Sequence, residues 1–169
     1  MAVTEPFRLR VLKALTAELE KITPANGFHY DITGKVRRGI DRFSYNSPVP
    51  MVSILESITE RENLQPQRGG ATKAVPWEIL IQGWAEDDPD NPTDPAHYLL
   101  ADVRQRLAEI SLRRHGYYIL DMAGGVDSIH TSTGVVRPAD EVSDKAYFWL
   151  QVTLNIIEDT SDPYDRKPH

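Results

Sequence analysis

The 169-residue chain contains no cysteine. That absence removes disulfides, zinc-thiolate centres and cysteine nucleophiles together. No apolar run approaches the roughly 20 residues needed to cross a bilayer. The opening stretch MAVTEPFRLRVLKALTAELEKI is broken by charges every few residues, which is not the pattern of a signal peptide. The expectation is a protein that stays where it is translated unless an assembly carries it away. Basic side chains are in deficit, 19 Lys and Arg against 25 Asp and Glu, for a formal net charge of -6. A general nucleic-acid binder needs a basic face to displace counterions from phosphates, so this balance argues against one.

What is present suits one domain. Hydrophobic residues make up 40% of the chain and charged ones 26%, a globular composition at a length that buries a core without metal or disulfide support. Residues 4 to 22 predict an amphipathic helix with Thr4 as cap, Pro6 in its first turn and a stripe of Leu12, Leu15, Leu19 and Ile22, widened by Val11 and Ala14. Pro24 and Gly27 stop it. GKVRRGI predicts a short strand and VPMVSILES (49–57) a second, with Val52 and Ile54 on one face. TERENLQPQRGGATK (59–73) has no apolar periodicity and predicts a long surface connection. VPWEILIQGW (75–84) then alternates, with Trp77, Ile79 and Ile81 opposite Glu78, Leu80, Gln82 and Trp84.

The strongest helix signal is TDPAHYLLADVRQRLAEISLRRHG. There Asp94 is the expected N-cap and Pro95 the first helical residue, and Leu99 or Leu100, Val103, Leu107 and Ile110 form the stripe. Arg113, Arg114 and His115 oppose the helix dipole in its last turn and Gly116 stops it. Residues 117–142 are strand and turn material. In KAYFWLQVTLNIIED, Phe148, Leu150, Val152, Leu154 and Ile156 alternate with Tyr147, Trp149, Gln151, Thr153 and Asn155, a strand with one face in the core. TSDPYDRKPH is expected to be a loose polar tail. Grouped strands imply an α+β fold: a single mostly antiparallel sheet of four to six strands with two amphipathic helices packed on one face. The domain runs over 1–158, and the tail over 159–169.

Chemistry is sparse. GWAEDDPDNPTDPAHYLLADV (83–103) places Glu86, Asp87, Asp88, Asp90 and Asp94 within twelve residues. Starting a calcium loop at Asp88 puts Pro92 at the fifth position, Thr93 at the sixth and Leu99 at the twelfth, so the pattern fails three times. A proline-stiffened connection carrying a helix cap accounts for the loop. His29, His97, His115, His130 and His169 are scattered, and His97 three residues after Asp94 reads as a surface contact. Asp127, Ser128 and His130 cluster, but alternation puts Asp127 on the face opposite the other two. AGGVDS lacks the spacing and the Lys of a phosphate loop, and no helix follows GKVRRG. Lys35, Arg37, Arg38 and Arg42 form a local basic cluster. A basic and an acidic patch on one chain are what a heterologous contact between copies uses.

The Arg-Val-Leu-Lys-Ala-Leu run of the first helix, VRRGI, VPMVSILE, a long polar hairpin tip, PWEILIQGWAEDD, DPAHYLLADVRQRLAEI and FWLQVTLNIIED follow in this order over residues 5 to 158. That layout resembles the tail terminator (minor tail, tail-completion) proteins of long-tailed bacteriophages. The resemblance implies a small α/β domain that assembles as a hexameric ring on the tail tube, stops its polymerisation and joins tail to head connector. It implies a structural protein, with no bond made or broken and no cofactor or metal. The implied partners are further copies of the chain, the tail tube protein and a neck or connector protein, with genome DNA passing the lumen unbound and no membrane involved. The implied location is the virion, after synthesis in the host cytoplasm. The family's flexible loop maps onto 59–73, and the expected interface residues are Lys35, Arg37, Arg38, Arg42, Arg61, Arg68, Glu86, Asp87, Asp88 and Asp90. A neck or head-completion protein is the alternative in the same class. A small metal-dependent hydrolase using Asp87, Asp88, Asp90 and His97 is the alternative in another.

Overall fold

A computed structural model describes residues 5–56, 70–112, 118–122 and 125–165. Its longest strands are two of 14 residues, β3 (Thr72–Ala85) and β6 (Ala146–Asp159), paired antiparallel along their whole length from Thr72 opposite Asp159 to Ala85 opposite Ala146. Period-two alternation in both puts Trp77, Ile79 and Ile81 beside Leu154, Val152 and Leu150 on one face, all buried. β2 (Met51–Glu56) joins β3 antiparallel, and β1 (Val36–Arg38) joins β2 parallel, with Val36 opposite Val52. On the other side of β6 lie β4 (Val126–Thr131), against residues 152–156, and β5 (Val135–Arg137), against 147–149. They are two pieces of one edge, bridged where the Ser132 N–H donates to the Gln151 carbonyl at 2.9 Å. The order is β1-β2-β3-β6-β4, with β5 beside β6, in a sheet antiparallel except at β1–β2.

Helices α1 (Phe7–Leu19) and α2 (Asp94–Ser111) cover one face. Val11, Leu15 and Leu19 of α1 and Leu99, Val103, Leu107 and Ile110 of α2 join the sheet's apolar face in one buried cluster. The single α+β sheet with its helices on one side is therefore the fold expected from the element order. Buried polar groups tie the helices to each other and to the loop after α1. The Asp102 carboxylate accepts the backbone N–H groups of His29 (3.1 Å) and Tyr30 (2.8 Å), and Glu18 pairs with Arg106, whose Nε donates to the Glu18 carbonyl at 3.0 Å. Among the described residues no helix is long and apolar enough to cross a membrane.

Several boundaries differ from the sequence reading. α1 begins at Phe7 with Pro6 as N-cap and no side-chain cap bond, and it ends at Leu19; Ile22 is buried in the turn that follows, its N–H on the Leu19 carbonyl at 3.0 Å. Asp94 is the first residue of α2 and not its cap. The cap position is Thr93, already helical in backbone (φ -92, ψ -13), and no side chain bonds there. The Asp94 carboxylate still opposes the positive end of the helix dipole. The tail expected to be loose is tied down at its start. The N–H of Phe7, orphaned as the first of a helix, donates to the Pro163 carbonyl at 2.8 Å, and Arg10 pairs with Asp165. Of the connection expected over 59–73, Thr72 and Lys73 belong to β3, paired with Asp159 and Glu158, and 59–69 with Arg61 and Arg68 lies outside the described residues, as do Thr4, the helix stop at Arg113–Gly116 and the last four residues.

Gly83 faces Phe148 across β3 and β6, and a methyl group built on Gly83 overlaps the Phe148 ring. Phe148 is fully buried, so its ring has nowhere to retreat. Gly83→Ala is expected to lower stability by about 1–3 kcal/mol in chemical denaturation. Adding Phe148→Leu should recover part of that loss, since the two sites share one space; additive losses would show that the clash is not the cause.

Candidate functional site

The face of the sheet away from the helices has a buried cluster of its own. Its small apolar cluster, Met51, Trp84 and Tyr147 with Phe43 packed against it, sits where β3 ends and β6 begins. Two loops meet there. Residues 86–90 leave β3 and residues 138–145 enter β6; the Ala85–Ala146 pairing brings them together. Lys145 Nζ lies 3.7 Å from Glu86 Oε2, and the Ala146 N–H donates to Asp87 Oδ1 at 2.9 Å. Residues 86–90 and 137–145 hold seven carboxylates, Glu86, Asp87, Asp88, Asp90, Asp140, Glu141 and Asp144, against the two cations Arg137 and Lys145. The contribution of 138–145 escaped the sequence reading because it depends on a pairing between residues about 60 apart. The acidic run PADEVSD between two strands was its only local trace.

Within this corner the acids have different duties. Asp87 holds the start of β6 through Ala146, and Asp88 Oδ1 closes a turn by accepting the N–H groups of Asp90 (2.8 Å) and Asn91 (2.9 Å). Glu86 and Asp90 are exposed, and among the described residues the ion pair of Glu86 is the long one with Lys145. Asp140 organises the second loop: Oδ1 accepts Val142 N–H at 2.8 Å and Oδ2 accepts the Tyr147 hydroxyl at 2.9 Å. The Val142 N–H, then the Tyr147 hydroxyl, the Ser143 N–H and Arg137 hold the Asp140 carboxyl below the usual carboxylate range. Burial and the same bond to Asp140 push the Tyr147 phenol up.

The basic cluster lies along the other edge, on β1 and the chain that follows it. Successive strand residues point to opposite faces, so Arg37 and Arg38 separate. Arg38 Nη1 turns to α1 and donates to Thr16 Oγ1 at 2.8 Å, whereas Arg37 Nη1 donates to the Gly34 carbonyl at 2.6 Å. Lys35, Arg37 and Arg42 have no ion pair among the described residues. The expected basic surface is thus Arg37 and Arg42 with half-buried Lys35, and Arg38 is partly committed to α1.

Other combinations of residues are engaged elsewhere. Asp127 is the extra residue of a bulge between Val126 and Ser128, and Ser128 Oγ is 2.7 Å from Asn155 Nδ2. His97 is exposed on α2. Among the described residues no group of three or more His, Asp or Glu side chains is arranged to hold a metal ion. A cavity of about 420 Å³ opens between the start of α1 and the end of β6, lined by Arg10, Glu158, Asp159 and Asp165 among others. These groups bind within the chain: Glu158 to Arg8 (2.6 Å), Asp165 to Arg10, and Asp159 Oδ1 to Ser161 Oγ (2.7 Å). In comparison with known proteins, no family model matches the chain, and no curated protein is significantly similar to it.

The depressed Asp140 carboxyl gives a signed pH dependence. A carboxylate held below its unfolded value, ordinarily 3.8, stabilises the loop at all pH above that value and ceases to do so as pH falls through the lower folded value. The difference in thermal midpoint between the wild type and Asp140→Asn is expected to be constant near neutrality and to close on acidification through that window. A difference that persists unchanged to about pH 2 would assign the loop's stability to the hydrogen bonds alone.

Proposed function

We propose that this chain is a structural protein of a phage virion, a tail terminator that forms a ring on the end of the tail tube and joins it to the head connector. The observation that carries the reading is the placement of two unlike charged surfaces on one sheet. The acidic corner lies where β6 and β5 meet, and the Arg37–Arg42 edge lies on β1 at the far side of β2 and β3. Unlike surfaces on one subunit form heterologous contacts, which close into rings when the rotation between neighbours permits. The element order and texture of residues 5 to 158 support the phage assignment by their resemblance to tail terminators, and a neck protein is the reading beside it. The test is light scattering on the purified protein, together with labelling of virions for electron microscopy. A multimer located at the head–tail junction is the expected outcome, and a strictly monomeric protein absent from virions rejects the reading.

Glu86 and Asp90 are the acids to reverse, because among the described residues their carboxylates hold no backbone N–H. Glu86→Lys with Asp90→Lys is expected to weaken assembly with little change in melting temperature, the long Glu86–Lys145 surface pair adding little. Asp87→Lys should in addition lose about 1 kcal/mol of stability, since the Ala146 N–H loses its acceptor. Equal melting temperatures for the two variants would contradict that division of roles.

A further inference from the structure

We infer that the loop between β5 and β6 is a preformed knob that docks on the β1 edge of a second copy of this chain, with Val142 meeting Ile40 between opposed charges. This contact rests on the ring reading and specifies it. The loop is fixed at both shoulders. The Asp140 N–H donates to the Ser143 carbonyl at 2.8 Å, Asp140 Oδ1 accepts Val142 N–H, and the buried Ser143 takes Lys145 N–H on its Oγ at 3.1 Å. Between these anchors Glu141 and Val142 are turned outward, and Val142 is 62% exposed. An apolar side chain held outward on an ordered, charged turn gains by burial, and little ordering entropy remains to be lost on docking.

The β1 edge carries the opposite pattern. Ile40 is 37% exposed, its N–H held by Ser53 Oγ at 3.2 Å, and Arg37 and Arg42 flank it without ion pairs among the described residues. On the knob Glu141 and Asp144 flank Val142, both exposed and likewise without ion pairs among the described residues. One surface is an apolar residue between cations, with the single carboxylate of Asp41 beside it, and the other an apolar residue between carboxylates. β2, β3 and β6 separate the strands that carry them, at roughly 4.8 Å per strand, so the complement of each is found on another copy.

The absence of cysteine makes the contact directly testable. Ile40→Cys with Val142→Cys in one chain, treated with a mild oxidant, is expected to give a ladder of dimers, trimers and longer covalent species, and either substitution alone no chain beyond a dimer. Charge exchange supplies the second arm. Arg37→Glu with Arg42→Glu, and separately Glu141→Arg with Asp144→Arg, should each lose the wild-type multimer in light scattering while keeping the wild-type melting temperature. Mixed in equal amounts, the two variants should regain it. If the wild type assembles but neither variant changes its mass and no ladder forms, this contact is wrong and the ring reading stands. Variants that lose the multimer without recovery on mixing also overturn the pairing. A wild type that remains monomeric overturns both.

Discussion

Everything in this fold hangs on the fourteen-residue ribbon of β3 and β6. Each strand supplies one face of alternating apolar side chains to the helices, and each serves as template for an outer part of the sheet, β2 and β1 beyond β3, β4 and β5 beyond β6. The close approach of Gly83 to Phe148 belongs to the same constraint. The ribbon admits a buried aromatic at that point only because the opposing strand has no side chain there. The ribbon also aligns Ala85 with Ala146, and it is this end of it that brings two acidic loops, far apart in the chain, into one corner.

Legibility followed locality. Both helices and the alternation over 148–156 were readable because periods of 3.6 and 2 are expressed within a dozen residues. Thr93 displaced Asp94 as cap because the choice depends on backbone angles one residue earlier, which no side-chain pattern reports. The parallel placement of β1 on β2 and the end-to-end arrangement of β4 and β5 on β6 are consequences of the ribbon's reach, invisible to any local window.

The candidate surface divides in the same way. That residues 86–90 form an acidic connection was plain, whereas which acids are free was not. Asp87 and Asp88 spend oxygens on backbone N–H groups, and among the described residues Glu86 and Asp90 do not. The basic cluster looked like one patch on paper, yet strand alternation sends Arg38 toward Thr16 of α1 and Arg37 to the other face. The loop 138–145, whose order comes from Asp140, became a candidate only when its neighbour across the ribbon was known.

The link between the Phe7 N–H and the Pro163 carbonyl, reinforced by Arg10 to Asp165 and Arg8 to Glu158, bears on how the chain is made. α1 packs on elements that all follow it in the chain, β1, α2 and the single turn Ile119–Asp121, and its Phe7 N–H reaches further still, to the turn after β6. Closing such distant contacts requires most of the chain to be out. The helix therefore waits for segments synthesised well after it, and during that interval the stripe of Val11, Leu15 and Leu19 is the nascent chain's exposed liability.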